Sequence, residues 1–220
     1  MDTIELIKHE LREIGYPGQS VRTSQIRSVS AKTYRTLESQ DISDVFEICE
    51  ELLKFKDWAY GVIAYDWAFR VKKQYTVDTF TTFENWLFEY VTDWGDCDDF
   101  CTHAFGELLR QHNELFEKVL KWAHHDNFAV QRATAVVLIY PINQGCYEGL
   151  NPTQVADLLF NNEHHLVQKG YGWLLKVFSK KEPQRVVGYL KSNHAEMPRT
   201  AFRYALENLD KHTQQELMSL

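Results

Sequence analysis

The segments Asp126-Asn-Phe-Ala-Val-Gln-Arg132 and Glu163-His-His-Leu-Val-Gln-Lys169 repeat one pattern at an offset of 37 residues. In each segment, polar residues suited to a turn precede Val-Gln-Arg or Val-Gln-Lys, which opens an apolar helical pattern. A period of about 40 residues is typical of solenoids in which each helix pair buries its apolar face only against its neighbours. The repeat therefore predicts an all-α fold, a right-handed superhelical array of antiparallel helix pairs whose second helices line a concave face.

Helical periodicity continues on both sides of this HEAT-like repeat. The segment Asp41-Ile-Ser-Asp-Val45 is predicted to open one helix, and Asp57 is a predicted N-cap of the next. Asp98 or Asp99 is predicted to begin a helix through Leu109. Further helices are predicted at residues 114–124, 128–140, 153–161, 165–179, 183–192 and 199–209. No low-complexity or Ser/Pro-rich hinge divides the chain, so residues 1–220 are predicted to form a single HEAT-like domain.

Charge is unevenly distributed along the chain, whose formal net charge is −7. Residues 78–117 contain ten acidic residues and one basic residue, whereas residues 166–205 contain eight basic residues and two acidic ones. The acidic average argues against a partner bound by bulk electrostatics, since nucleic-acid binders usually carry a basic face. The C-terminal segment nevertheless allows such a face within an acidic protein. Chance clustering of solvated charges is the alternative interpretation.

The four cysteines do not form a metal-binding pattern. Cys97 and Cys101 have helical i, i+4 spacing, but no second pair with zinc-like spacing accompanies them, which favours free thiols and neither a metal nor another cofactor. The chain has no signal-peptide pattern, and no run approaches the roughly 18 apolar residues of a membrane span. We therefore expect a cytoplasmic protein that is not in a membrane.

Two segments stand apart from the helical background: Trp94-Gly-Asp-Cys-Asp98 and Gly170-Tyr-Gly-Trp173. Together with Arg132 they outline a candidate site with two aromatic walls, one acid and one cation. A carboxylate beside aromatic rings can stabilise an oxocarbenium-like transition state, and an arginine can grip a phosphate, so the set suits cleavage of an N-glycosidic bond in DNA. Taken singly, each residue also has a structural interpretation, Asp98 as a helix N-cap, the tryptophans as packing residues and Arg132 as a link between repeats.

Six segments carry a further resemblance: Ala64-Tyr-Asp-Trp-Ala68, Trp94-Gly-Asp-Cys-Asp-Asp-Phe-Cys-Thr-His103, Val130-Gln-Arg-Ala133, Leu138-Ile-Tyr-Pro141, Val167-Gln-Lys-Gly-Tyr-Gly-Trp-Leu-Leu-Lys176 and Met197-Pro-Arg-Thr-Ala201. Through them the chain resembles the AlkD-type DNA alkylation repair proteins, a family of HEAT-like-repeat DNA glycosylases, from about residue 41 to residue 209. The resemblance implies a superhelix with a concave groove for double-stranded DNA. It also implies excision of cationic alkylated bases, such as 3-methyladenine and 7-methylguanine, by a monomer without metal.

On that resemblance Asp98 matches the catalytic aspartate, Trp94 and Trp173 the aromatic residues around the sugar of the lesion, and Arg132 the arginine that contacts the DNA backbone. Lys169, Lys176 and Arg203 are further candidates for binding the DNA backbone, which would make binding sensitive to salt.

The N-terminal segment departs from the family pattern. Family members usually carry a longer leading segment with a Tyr-rich helix, whereas 25 residues precede Ile26 in this sequence, and Tyr16 or Tyr34 would have to substitute. Two alternatives to a glycosylase therefore stay open. One is a non-catalytic DNA-binding member of the family, and the other is a HEAT-like scaffold for protein interactions.

Overall fold

Apolar residues at helical spacing form α-helices along the whole chain. In this computed structural model, which describes residues 2–220, no residue lies in a β-strand. The helices are α1 (Thr3–Glu13), α2 (Thr23–Tyr34), α3 (Ile42–Leu53), α4 (Trp58–Arg70), α5 (Thr79–Tyr90), α6 (Trp94–Cys101), α7 (Ala104–Gln111), α8 (Phe116–Leu120), α9 (Phe128–Val136), α10 (Ile139–Gln144), α11 (Pro152–Leu159), α12 (His165–Phe178), α13 (Pro183–Asn193), α14 (Arg199–Leu206) and α15 (Lys211–Met218). The predicted all-α fold is confirmed. None of the helices in the described range has both the length and the apolar composition needed to span a bilayer.

The helices divide into two compact units. The first unit, Met1–Tyr90, contains α1 to α5, and the second, Val91–Leu220, contains α6 to α15. The single domain over residues 1–220 and the right-handed superhelical arrangement both stay predictions from the sequence.

In the first unit, buried aromatic rings hold the helices together. Trp67 is fully buried, donates a hydrogen bond from Nε1 to the backbone oxygen of Ser30 at 3.1 Å, and packs edge-on against Tyr34. The predicted N-cap Asp57 is confirmed, because its side chain accepts from the Ala59 amide at 2.9 Å. Asp41 also caps a helix, α3, by accepting from the Ser43 amide at 3.1 Å.

The two tyrosines considered from the sequence as a cover over DNA both have contacts within the first unit. Tyr16 donates a hydrogen bond to Asp57 at 2.7 Å, and Tyr34 packs on Trp67. Burial, followed by the bond to Asp57, raises the pKa of Tyr16 to about 12. A covering role for either residue stays a prediction.

In the second unit, α6, α9, α12 and α14 pack side by side in that order. The 37-residue repeat opens α9 and α12, and its hydrogen bonds repeat with it. Gln131 donates from Nε2 to the backbone oxygen of His125 at 2.6 Å, and Gln168, 37 residues later, donates to that of Asn162 at 3.0 Å. The repeat in the sequence is thus a repeat in the structure.

Two predicted helix boundaries are wrong. The helix that carries Asp98 begins at Trp94, because the Asp93 carboxylate caps it by accepting from the Trp94 amide at 2.7 Å, and it ends before α7 begins. The helix predicted over residues 128–140 is interrupted between α9 and α10. Pro141 lies in the first turn of α10 and has no amide proton to donate to the preceding turn, which explains the break.

Candidate functional site

Side chains from α6, α9, α12 and α14 surround a cavity of about 260 Å³ in the second unit. The lining consists of three aromatic rings, one carboxylate, two cations and one leucine: Trp94, Asp98, Arg132, Leu166, Lys169, Trp173 and Tyr204. The structure therefore brings together five of the seven residues that the sequence nominated. Larger clefts, of about 470 and 610 Å³, occur in the first unit, but these nominated residues do not line them.

Helix α6 presents Asp98 to the cavity one turn after Trp94. Because Asp93 caps this helix, Asp98 lies within it, and its carboxylate is not needed to satisfy amides at the helix start. Trp94 remains 49% exposed, and the Asp98 side chain is 20% exposed. The interpretation of Asp98 as a helix N-cap is therefore wrong.

Arg132 on α9 grips Asp98 with a two-pronged contact. Nε donates to Oδ1 at 2.8 Å and Nη2 donates to Oδ2 at 2.9 Å, the geometry in which a guanidinium fork matches a carboxylate. The remaining terminal nitrogen, Nη1, donates to the backbone oxygen of Leu166 on α12. Arg132 therefore links α6, α9 and α12 through hydrogen bonds at the site.

Gly170 leaves room for this arginine. A Cβ at position 170 would lie 3.1 Å from Cγ and 3.3 Å from Nη1 of Arg132, which is tighter than nine in ten Cβ contacts in proteins. Burial opposes the charge of Arg132, but the hydrogen bonds and charge of Asp98 outweigh it and raise the pKa of the guanidinium. Arg132 thus stays charged although it is 5% exposed, and it balances Asp98.

The four nominated cations fall into different environments. Lys169 lines the cavity, and its ammonium makes no hydrogen bond or ion pair with any other residue of the described range 2–220. Lys176 pairs with Glu207, and Arg203 is exposed and does not line the cavity. Since Asp98 and Arg132 balance each other, Lys169 gives the cavity a net positive charge.

Tyr204 was missed by the sequence analysis. It lies on α14, which approaches α12 closely at Gly172, where a Cβ would be 2.7 Å from both the Ala201 oxygen and Tyr204 Cβ. Glycine at position 172 is the sequence signal that two helices meet there, although it does not reveal which helix. The structure thus adds a third aromatic wall to the two tryptophans.

The cysteines of α6 do not line the cavity. Cys97 and Cys101 are buried free thiols, and burial, followed by the neighbouring Cys97 thiol, raises the pKa of Cys101 well above its usual value. Over residues 2–220, no group of three or more His, Cys, Asp or Glu side chains is placed to hold a metal ion.

Comparison with known sequences identifies one family over most of the chain. The family described as DNA alkylation repair enzyme matches residues 15–209. A search of curated proteins finds no match.

Solved structures from two bacteria share this fold. A predicted DNA alkylation repair enzyme from Enterococcus faecalis superposes with a TM-score of 0.73 at 18% identity, covering 95% of each chain. AlkD2 from Streptococcus mutans superposes with a TM-score of 0.65 at 15% identity. The protein smu.31 from Streptococcus mutans UA159 superposes with a TM-score of 0.63 at 14% identity. Both matches cover 95% of this chain and 100% of the other chain. At these identities the likeness establishes the fold.

Proposed function

Because this chain belongs to the DNA alkylation repair enzyme family, as its motifs predicted, we propose that it is a DNA glycosylase that releases cationic alkylated bases from double-stranded DNA. The observation that carries the proposal is the Asp98 carboxylate, fixed by Arg132 in a cavity with three aromatic walls. The proposed reaction is hydrolysis of the N-glycosidic bond: the bond from the sugar C1′ to the base breaks, the cationic base departs as a neutral molecule, and water adds to C1′ and loses a proton to solvent.

Asp98 is the proposed catalytic residue. As the glycosidic bond breaks, positive charge develops on the sugar, and a fixed carboxylate stabilises that charge without having to reorganise. The two hydrogen bonds from Arg132 hold both oxygens of Asp98 in place, while 20% exposure of its side chain leaves it accessible from the cavity. Arg132 is therefore proposed to position Asp98 as well as to contact DNA.

The aromatic walls support cationic bases as the proposed substrates. The faces of Trp94, Trp173 and Tyr204 carry negative quadrupole potential, which attracts a cationic base or the developing sugar cation. A base that is already cationic, such as 3-methyladenine or 7-methylguanine, departs as a neutral molecule, so the reaction needs no strong general acid. The lining correspondingly offers one carboxylate, which Arg132 keeps paired.

DNA phosphates are proposed to bind at the cations of the same cavity. Lys169 offers an ammonium that no other described residue engages, and Arg132 has used three of its five N–H donors, which leaves two for a phosphate oxygen. Lys176 and Arg203 would add contacts outside the cavity, Lys176 after release from Glu207. Such contacts weaken as salt rises, because binding releases counterions from the DNA.

The direct test is base release from methylated duplex DNA by the purified protein. We expect free 7-methylguanine and 3-methyladenine to accumulate with time, as measured by chromatography, and heat-denatured protein to release only the spontaneous background. Duplex binding is titrated in parallel at two salt concentrations. Release at the background rate by folded, DNA-binding protein would refute the glycosylase assignment.

One observation favours a second candidate, a non-catalytic DNA-binding protein of the same family. Both oxygens of Asp98 already accept hydrogen bonds from Arg132, which lowers the negative charge available to a sugar cation. That candidate predicts salt-sensitive binding to duplex DNA without release of any base. The paired release and binding assays separate the two functions.

A further inference from the structure

Three flat rings form a stacked row on the surface of the second unit, outside the cavity. The Phe128 and His164 rings lie 4.1 Å apart with an angle of 16° between their planes, and His164 and His165 lie 5.2 Å apart at 19°. His165, at the end of this ring row, is exposed, while Phe128 and His164 are half-buried. One end of the row is therefore open to solvent.

The ring row continues the two helix faces that carry the site. Phe128 lies four residues before Arg132 on α9, and His165 lies four residues before Lys169 on α12, so each ring shares a helix face with a cation of the cavity. Four residues of α-helix rise about 6 Å. The spacing between each ring and the cation on its helix therefore corresponds to about two base-pair steps of duplex DNA.

Hydrogen bonds hold the backbone that carries the middle ring in position. The His164 amide donates to Asn162 Oδ1 at 2.9 Å, and Asn162 Nδ2 donates to Gln131 Oε1 at 2.7 Å. The Nδ1 atom of His164 is buried and has no hydrogen-bond partner in the described part of the chain. Burial, followed by the neighbouring His165, lowers the pKa of His164, which favours the uncharged ring.

We propose that the ring row of Phe128, His164 and His165 is a stacking site for an unpaired nucleobase of bound DNA, close to the lesion. Once the damaged base has been removed, the base opposite the abasic site has no pairing partner and can leave the duplex stack. A flat aromatic face replaces the lost stacking partners for any base, because every base has a π-face. The neighbouring cations would hold the phosphates of the same strand, and the fixed row loses little conformational entropy on binding. This inference rests on the proposed function.

The test uses duplexes that contain a non-cleavable abasic-site analogue, so it does not depend on base release. The fluorescent base 2-aminopurine is placed, in separate duplexes, opposite the analogue and at one and two positions on either side. At one of these positions we expect fluorescence to be quenched when wild type binds, because the base stacks on His165. The His165→Ala variant should lose the quenching and bind at least about fivefold more weakly.

Two further variants make the result specific. His165→Phe keeps a flat ring without a titratable nitrogen and should retain both quenching and affinity, whereas His124→Ala, which removes an exposed histidine outside the row, should behave as wild type. Equal fluorescence in the wild-type and His165→Ala complexes would overturn the inference alone. Loss of affinity in His165→Phe to the level of His165→Ala would overturn it in favour of a charged contact with phosphate. Failure of wild type to bind any duplex would overturn the proposed function as well.

Discussion

Asp66 in the first unit and Asp98 in the second are both held by arginine, yet they occupy different settings. Asp66 on α4 accepts from Ser30 Oγ at 2.5 Å and from Arg70 Nε at 2.9 Å, and its side chain is 12% exposed. Asp98 on α6 accepts two bonds from Arg132, and its side chain is 20% exposed. Pairing with arginine and partial burial are thus common to both aspartates.

The difference lies in what surrounds each carboxylate. Asp66 links α2 to α4 through the Ser30 hydroxyl. The side chains of its two arginine partners, Arg27 and Arg70, are 30% and 32% exposed. Asp98 faces a cavity with aromatic walls, and its arginine is 6% exposed. An ion pair by itself therefore does not mark a functional site, whereas a paired carboxylate that opens into an aromatic cavity has the parts needed for glycosidic chemistry.

The largest effect is expected on stability when the buried arginine is removed. Arg132→Met leaves Asp98 without its counter-charge, and we expect the free energy of unfolding to fall by about 3 kcal/mol. This value lies near the lower end of the losses typical of a broken buried ion pair, because Asp98 is partly exposed. The matched change Arg70→Met should cost about 1 kcal/mol or less, since that pair is more exposed and Ser30 still bonds Asp66. Urea unfolding of the three proteins measures both values. Equal losses would show that burial does not distinguish the two pairs.

The next effect is expected on catalysis. Asp98→Asn removes the charge that faces the sugar, and we expect the single-turnover rate of 7-methylguanine release to fall at least about tenfold with helical content unchanged. Asp66→Asn should leave the rate of the folded protein unchanged, because Asp66 links helices of the first unit. If wild type and Asp98→Asn release the base equally fast, Asp98 is not the catalytic residue.

The smaller of the two effects on stability is expected where α12 and α14 meet. Gly172→Ala places a methyl group 2.7 Å from the Ala201 backbone oxygen, so the helices must separate, and we expect a loss of about 1–3 kcal/mol. Gly188→Ala on α13 is the control, because a Cβ there meets no atom within 4 Å and alanine favours helix over glycine. Thermal melts compare the two variants. A neutral Gly172→Ala would mean that this contact does not fix Tyr204 beside Asp98.

The sequence predicted much of the site because several of its signals are local. Trp94 and Asp98 share a helix face through their i, i+4 spacing, and the 37-residue repeat placed Arg132 and Lys169 at equivalent positions. It erred at the start of α6, because four aspartates between residues 93 and 99 all suit an N-cap and only the folded chain selects Asp93. Tyr204 was missed, and its neighbour Arg203 was nominated instead, because adjacent helical residues point about 100° apart and the sequence does not show which one faces α12.

By itself, the sequence determined the all-α fold, the repeat and the family, because helical periodicity, caps and repeated segments depend on residues close together in the chain. Only the tertiary structure decided that Asp98 is held by Arg132, 34 residues away. It also decided that Lys176 pairs with Glu207, while Lys169 has no ionic partner among the described residues. The stacking of three rings beside the site likewise appears only in the folded chain. These contacts join different helices, and their partners are set by how the helices pack, which local spacing does not encode.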